Sequence, residues 1–275
     1  MNDVQQKIER SITTTYRTRI WKKFVSAVNE YDLINEGDKI AVCISGGKDS
    51  FLLAKCMQEL TRHKVKNFEL KFLVMDPGFI GNNRERLIEN ANILGIPVEI
   101  FDSNIFDVVS KAGGSPCYLC AKMRRGFLYA RAQEMGCNKI ALGHHFNDVI
   151  ETILMGIFYN GQYQTMPPKL KSKNFEGIEL IRPMYKVPEA EIKNWANFNE
   201  LNFINCGCPL IENCEITDES ESGSKRKEMK NLIKKLKETN KDVDVSIFKS
   251  SYNICLDTVV GYKKKGKNIS FLDEY

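Results

Sequence analysis

The chain has no uninterrupted apolar run near the roughly 18 residues that a membrane-spanning helix requires. Its polar start, MNDVQQKIER, has no apolar targeting core either. Together these absences point away from membrane and exported proteins and toward the cytoplasm. No internal repeat is present, and the acidic Ser/Glu stretch near Ser220 is too short for a disordered domain. Net charge is only +5, too little in a lysine-rich chain to identify a nucleic-acid partner by itself. What is present is 43% apolar residues in 275, enough for a real core and for one domain with appendages. There are also nine cysteines. Without an export signal, and with several of them clustered, they read as reduced thiols or metal ligands rather than a disulfide framework.

The most informative segment is KIAVCISGGKDS, residues 39–50. An apolar run stops at two glycines, followed at once by a lysine and the helix-starting pair Asp49-Ser50. The pattern predicts a buried strand over 39–44, a tight turn over 45–47 and a helix through Arg62. Backbone N–H groups at such a helix mouth favour an anion, and Lys48 adds a full charge, so a nucleotide is the expected ligand. Two common nucleotide signatures are missing. The usual phosphate loop needs glycine where Val42 stands and Ser or Thr where Asp49 stands. The dinucleotide fingerprint lacks its third glycine.

Beyond this segment the chain alternates strands (69–75, 97–100, 139–142) with helices (84–94, after Cys120, 147–159), after a helical start over 4–31. That rhythm predicts an α/β fold, a parallel sheet with helices on both faces, whose ligand lies beyond the carboxyl ends of the strands, where Ser45, Asp76 and Gly143 emerge. The expected organisation is an N-terminal helical region over 1–35, a nucleotide domain with clustered cysteines over 36–215 and a basic helical tail over 216–275. In the tail, residues 225–237 hold seven basic residues against Glu228, with Met229, Leu232, Ile233 and Leu236 spaced to dock one face. Residues 165–184 read as a loop or hairpin whose Lys169, Lys171 and Lys173 either contact RNA or merely keep an exposed edge soluble. Arg124 and Arg125 divide similarly between RNA phosphate and structural pairing. Cys43, Cys56, Cys137 and Cys255 are expected to be bland, the first two as small apolar side chains.

Cys117-Tyr-Leu-Cys120 places two sulfurs within reach of one metal, and Cys206-Gly-Cys208 supplies more. A four-cysteine zinc site, or a persulfide relay without metal, is open on these residues alone. The segment SGGKDS after a strand resembles the pyrophosphate loop of the N-type ATP pyrophosphatases. Joined with Pro116 to Cys120, Arg124-Arg125-Gly126, GHHFND (143–148), MPPKL (166–170) and IRP (181–183), it resembles the tRNA 2-thiocytidine synthetase family of TtcA type, over about residues 34–206.

That resemblance implies an ATP-dependent iron–sulfur tRNA thiolase that adenylates the 2-oxo group of an anticodon-loop cytidine and replaces it with sulfur. It implies ATP, Mg²⁺ and a [4Fe-4S] cluster as cofactors. The implied partners are tRNA and a sulfur donor, either a cysteine desulfurase persulfide or inorganic sulfide; pairing into a homodimer is left open. Ser45, Gly46, Gly47, Lys48, Asp49 and Ser50 match the pyrophosphate loop, Asp76 the acidic position following the second strand, and Gly143, His144 and Asp148 the element near the nucleotide. Asn147 replaces the first of two aspartates in that element. Cys117, Cys120 and Cys206 carry over as cluster ligands, with Cys208 an alternative to Cys206 because a CxC stands where the family has CxxC. Lys48 is expected to offset charge on departing pyrophosphate and Asp49 to help hold the metal, with Cys117 and Cys120 serving sulfur transfer. Two other functions compete: the same ATP chemistry on another tRNA base or a small molecule, and a zinc-containing nucleotide sensor.

Overall fold

The computed structural model describes residues 3–79, 81–103, 105, 116–204 and 225–273, with 116–118, 120 and 121 described by backbone alone. Two compact units emerge, one of residues 1–149 and 167–223, the other of 150–166 and 224–275. In chain order the helices and strands are α1 (Asp3–Thr13), a π-helical turn (Arg17–Trp21), α2 (Lys22–Glu30), β1 (Lys39–Ile44), α3 (Lys48–Arg62), β2 (Glu69–Asp76), α4 (Asn83–Leu94), β3 (Val98–Asp102), α5 (Pro116–Glu134), β4 (Lys139–Ala141), α6 (Phe146–Asn160), β5 (Lys169–Lys171), β6 (Glu179–Ile181) and α7 (Glu189–Phe198). Then follow α8 (Lys225–Thr239), α9 (Val243–Ser250), β7 (Gly261–Lys264) and β8 (Lys267–Ser270).

The first unit is built on a six-stranded sheet of order β3-β2-β1-β4-β6-β5. All neighbours run parallel except β5, which pairs antiparallel with β6 at the edge. The expected parallel sheet is there, and the hairpin foreseen over 165–184 extends it. Strand period two explains the layers. Ile40, Val42 and Ile44 of β1, with Phe72 and Val74 of β2, face one apolar cluster that also takes Phe51, Leu52 and Met57 of α3 and Leu87 of α4. Ala41, Cys43 and Leu73 face the other way, toward Ala132 and Leu128 of α5. Burial pushes the Cys43 thiol up to about 12, so it packs as an apolar group.

The N-terminal helices share the first cluster through Ile8, Ile12, Ile20 and Phe24. A buried ion pair fastens them. Lys55 of α3, 1% exposed, donates to Glu9 of α1, to Gln58 Oε1 (2.9 Å) and to the Leu94 carbonyl (2.8 Å), so its three ammonium hydrogens have three acceptors. Arg62 donates to the same Glu9.

One boundary differs from the sequence expectation in a way that matters. The helix expected after Cys120 begins at Pro116, so both cysteines of the CxxC lie within its first five residues. Proline suits that start because its missing N–H is one of the donors a helix leaves unpaired there.

The second unit contains most of α6, the helices α8 and α9, and the two-stranded antiparallel sheet β7-β8. Glu151 pairs with Arg226 (3.7 Å), Tyr159 donates to Glu228, and Lys225 lies 4.6 Å from the Tyr159 ring centre. Of the apolar face foreseen on 225–237, Met229 and Ile233 are buried, whereas Leu236 is exposed. Among the described residues no helix is long and apolar enough to cross a membrane.

Candidate active site

Strand order reverses between β1 and β4. From β1 the chain winds outward through β2 and β3, then returns to the other side of β1. Loops leaving the carboxyl ends of β1 and β4 therefore diverge to opposite faces and leave a crevice between them. The glycine turn 45–47 leaves β1 there, and Gly143-His144 leaves β4.

The turn is self-braced. Gly46 has φ +90, open to glycine without strain, and its carbonyl accepts the Ile204 N–H at 3.2 Å. Gly47 caps α3 without any side-chain bond to the helix end. Ser50 Oγ accepts the Ser45 N–H (3.1 Å) and donates to the Gly47 carbonyl (2.9 Å), closing the loop on itself. The uncapped mouth of α3 and Lys48, its first residue, stand next to each other, an arrangement suited to holding a phosphate. Lys48 Nζ is 3.1 Å from Asp49 Oδ2 and 3.5 Å from Glu189 Oε1, and Glu189 also holds Lys193 at 3.1 Å.

Gly143 lies against this turn. A Cβ on it would sit 3.1 Å from Asp49 C and Ser50 N, so no larger residue lets β4 come this close to α3. His145 is buried, with Nε2 3.8 Å from Asp49 Oδ1, and its N–H reaches Asp148 Oδ2 at 2.9 Å. Asn147 turns the other way: its Oδ1 accepts the Glu189 N–H at 2.9 Å, completing the start of α7. Asp76 is 5% exposed and fully engaged. Its Oδ1 accepts the N–H groups of Gly78 and Phe79 at 2.8 Å each, and its Oδ2 accepts Arg84 at 2.9 Å.

Two cavities flank the turn. One, of about 290 Å³, is lined by Ser45, Asp49, Ser50, Gly143, His144 and Arg124, with Cys43, Met75 and Leu128 among its apolar walls. The other, of about 330 Å³, is lined by Gly47, Lys48, Asp49, Lys193, Asn197 and Phe203. Arg124 stands on α5 four residues after Cys120, about 6 Å along the helix axis. The helix that begins with the CxxC thereby forms a wall of the first cavity. Cys206, Cys208 and Cys214 lie outside the described residues, and among the described residues no three His, Cys, Asp or Glu side chains converge as a metal site.

Over residues 13–206 the chain matches the PP-loop domain family. It is 34% identical to the tRNA-cytidine(32) 2-sulfurtransferase of Citrifermentans bemidjiense, over 86% of this chain and 91% of that protein. The enzyme of the same name from Syntrophotalea carbinolica is 37% identical over 80% and 83%, and that of Bdellovibrio bacteriovorus 36% over 86% and 88%. The chain belongs to the PP-loop family, among the tRNA-cytidine(32) 2-sulfurtransferases. Its fold is shared with the U34-tRNA thiolase NcsA of Methanococcus maripaludis, a structure holding a [4Fe-4S] cluster, at TM-score 0.65 and 21% identity over 84% of this chain and 76% of that one.

For a member of this PP-loop family, several site residues escaped sequence reasoning. Glu189 and Lys193 lie on α7, which was not foreseen, although Pro188 followed by acidic residues is a helix-start signal. Arg84, the partner of Asp76, was visible only as a helix residue. Arg182, of the IRP segment, is buried and donates to the Pro167 carbonyl; burial lowers its pKa below the ordinary value for arginine.

Proposed function

We propose that the protein is an ATP-dependent tRNA sulfurtransferase that activates the 2-oxygen of a tRNA cytidine, position 32 by likeness to its relatives, and replaces that oxygen with sulfur. The single observation that carries this reading is the shared cavity. A phosphate-holding turn and the helix that opens with two cysteines border one crevice at the reversal of strand order.

The chemistry needs both parts. A pyrimidine 2-oxygen is a poor leaving group. Its attack on the α-phosphorus of ATP expels pyrophosphate and leaves the oxygen bonded to AMP; a sulfur nucleophile then adds at C2, and AMP departs with the oxygen. The open mouth of α3 and Lys48 bind the phosphates and offset charge on pyrophosphate as it leaves. Glu189 steers Lys48 through its 3.5 Å contact. Asp49, whose Oδ1 makes no hydrogen bond among the described residues, is the carboxylate available for Mg²⁺. Gly143 and His144 line the side on which the nucleoside would lie.

Cys117 and Cys120 are three apart on one helical turn, which puts the two positions on one face. With Cys206, which lies outside the described residues, they would supply three thiolates, the soft donors that an iron–sulfur cluster takes. These cysteines would hold a [4Fe-4S] cluster, and the chemistry it would supply there is to carry sulfide to the activated base.

The test uses protein purified without oxygen and incubated with tRNA, ATP, Mg²⁺ and sulfide. AMP and pyrophosphate should appear in step with 2-thiocytidine, read by nucleoside mass spectrometry, and the protein should contain iron and acid-labile sulfide. Sulfur appearing on uridine, or AMP release indifferent to tRNA, overturns the assignment. Zinc in place of iron redirects the sulfur step.

A further inference from the structure

The second unit contains a feature that the chemistry above leaves unused. A groove of about 980 Å³ is lined by Asn160, Gln162, Tyr163, Gln164, Asn253 and Tyr262, with Ile254, Leu256 and Lys263 also at its walls. It is a built feature. Gln162 N–H bonds back to the Gly156 carbonyl at 2.9 Å, and a Cβ on Gly156 would lie 2.7 Å from the Gln162 carbonyl, so the return of the chain along α6 depends on that glycine. Tyr163 OH is fixed by Ser250 Oγ at 2.8 Å, tying the two segments that form the groove.

Beside it stands the β7-β8 hairpin. Lys263, Lys264, Lys265 and Lys267 are all exposed, with no acidic residue between Gly261 and Ser270. Lys265 and Gly266, at φ 50 and 80, form its two-residue turn. Lys264 sits directly opposite Lys267 across the strands. Like charges in that register repel, and a polyanion relieves the repulsion. Residues 150–166 and 224–275 hold 13 Lys and Arg against eight Asp and Glu, so this unit carries the chain's whole excess of +5.

We infer that this groove and its lysine hairpin are a docking site for RNA, an inference that rests on the tRNA reading above. The hairpin takes the phosphate backbone, and the tyrosines and amides of the groove take unstacked bases by face and edge. An acidic protein would need the lysines but not the amide-lined groove.

The experiment measures binding of labelled tRNA to the full chain by fluorescence anisotropy across a salt series. Lys263→Gln/Lys264→Gln/Lys265→Gln/Lys267→Gln should weaken affinity at least about tenfold and flatten the salt dependence by two or more phosphate contacts. Tyr163→Phe/Tyr262→Ala should weaken it about fivefold with the salt slope unchanged, since stacking releases no counterions. Thermal unfolding confirms that each variant is folded. Wild-type protein that binds no tRNA sinks the functional reading itself. Wild-type protein that binds tRNA, with variants that match it, sinks only this inference. Polyglutamate of matched charge displacing tRNA as well as unlabelled tRNA does also overturns the inference, in favour of a plain anion surface.

Discussion

The two units divide charge and apolar surface in opposite ways. Outside residues 150–166 and 224–275 the chain is electrically balanced, and its two buried lysines are paired: Lys55 with Glu9, Lys139 with Asp38 at 2.7 Å. The second unit carries all the net charge and eleven of the seventeen large hydrophobic side chains exposed among the described residues, Tyr163, Tyr252 and Ile254 among them. A unit that must hold small reacting groups still is built around paired charges and a closed core. A unit that meets a large polyanion keeps its cations and aromatic faces open. On this division, chemistry and recognition of the large substrate should be separable by mutation.

The sharpest break would come from Lys48→Ala. If Lys48 offsets charge on the departing phosphates as proposed, its removal should lower AMP formation and thiolation by roughly 10²- to 10³-fold. Affinity for tRNA and its salt slope should not move. If RNA affinity collapses as well, the division between the units is wrong. The hairpin glutamine variant is the mirror experiment, losing RNA affinity through the other unit.

Next in size is Glu9→Gln, which probes how the first unit is held. Burial raises the Glu9 carboxyl pKa, but hydrogen bonds from Arg62 and Lys55 outweigh it and hold the group below its ordinary 4.5. A depressed folded-state value means that Glu9 stabilises the fold fully above 4.5 and loses that contribution as pH falls through the lowered value. Leaving Lys55 buried without its anion should cost roughly 3 kcal/mol at neutral pH by urea unfolding. The gap between wild type and variant should close in acid. A gap that stays constant to low pH would show that the pair does not work through charge.

These two sites differ in how plainly the sequence announces them. Residues 39–62 are legible because strand, turn and helix signals are contiguous and each is local: an apolar run, paired glycines, then a helix start. Lys55 and Glu9 stand 46 positions apart, and nothing local says that they meet. The same holds for Glu189, brought to Lys48 only by the way α7 packs on α3. Strands β5 and β6 have three residues each, too few for a period of two to be seen. The second unit was the least readable, since its groove joins two stretches separated by more than 50 residues. Only its lysine content and the Met229–Ile233 stripe signalled it.

Gly143→Ala tests how closely the crevice must shut. Backbone atoms 3.1 Å from the added methyl cannot retreat like a flexible side chain, so β4 and the start of α3 must part by a few tenths of an ångström. The cost is expected to be about 1–3 kcal/mol of stability, with weaker ATP binding by titration and unchanged RNA affinity. A variant with wild-type ATP affinity would mean that the cavity tolerates opening.

The smallest effect is expected at Asn147, the position where the family pattern has aspartate. Its Oδ1 accepts the Glu189 N–H at 2.9 Å, and Glu189 in turn contacts Lys48 and Lys193. A carboxylate oxygen accepts the same N–H, so Asn147→Asp should keep both stability and activity. Asn147→Ala leaves that helix-start N–H without its partner and should cost about 1 kcal/mol. Because the lost bond reaches Lys48 only through Glu189, the kinetic change should be a raised KM for ATP with kcat little altered. If Asn147→Asp instead raises kcat several-fold, an aspartate at this position acts on substrate or metal, and the helix-start role found here is a replacement for that work, not its equivalent.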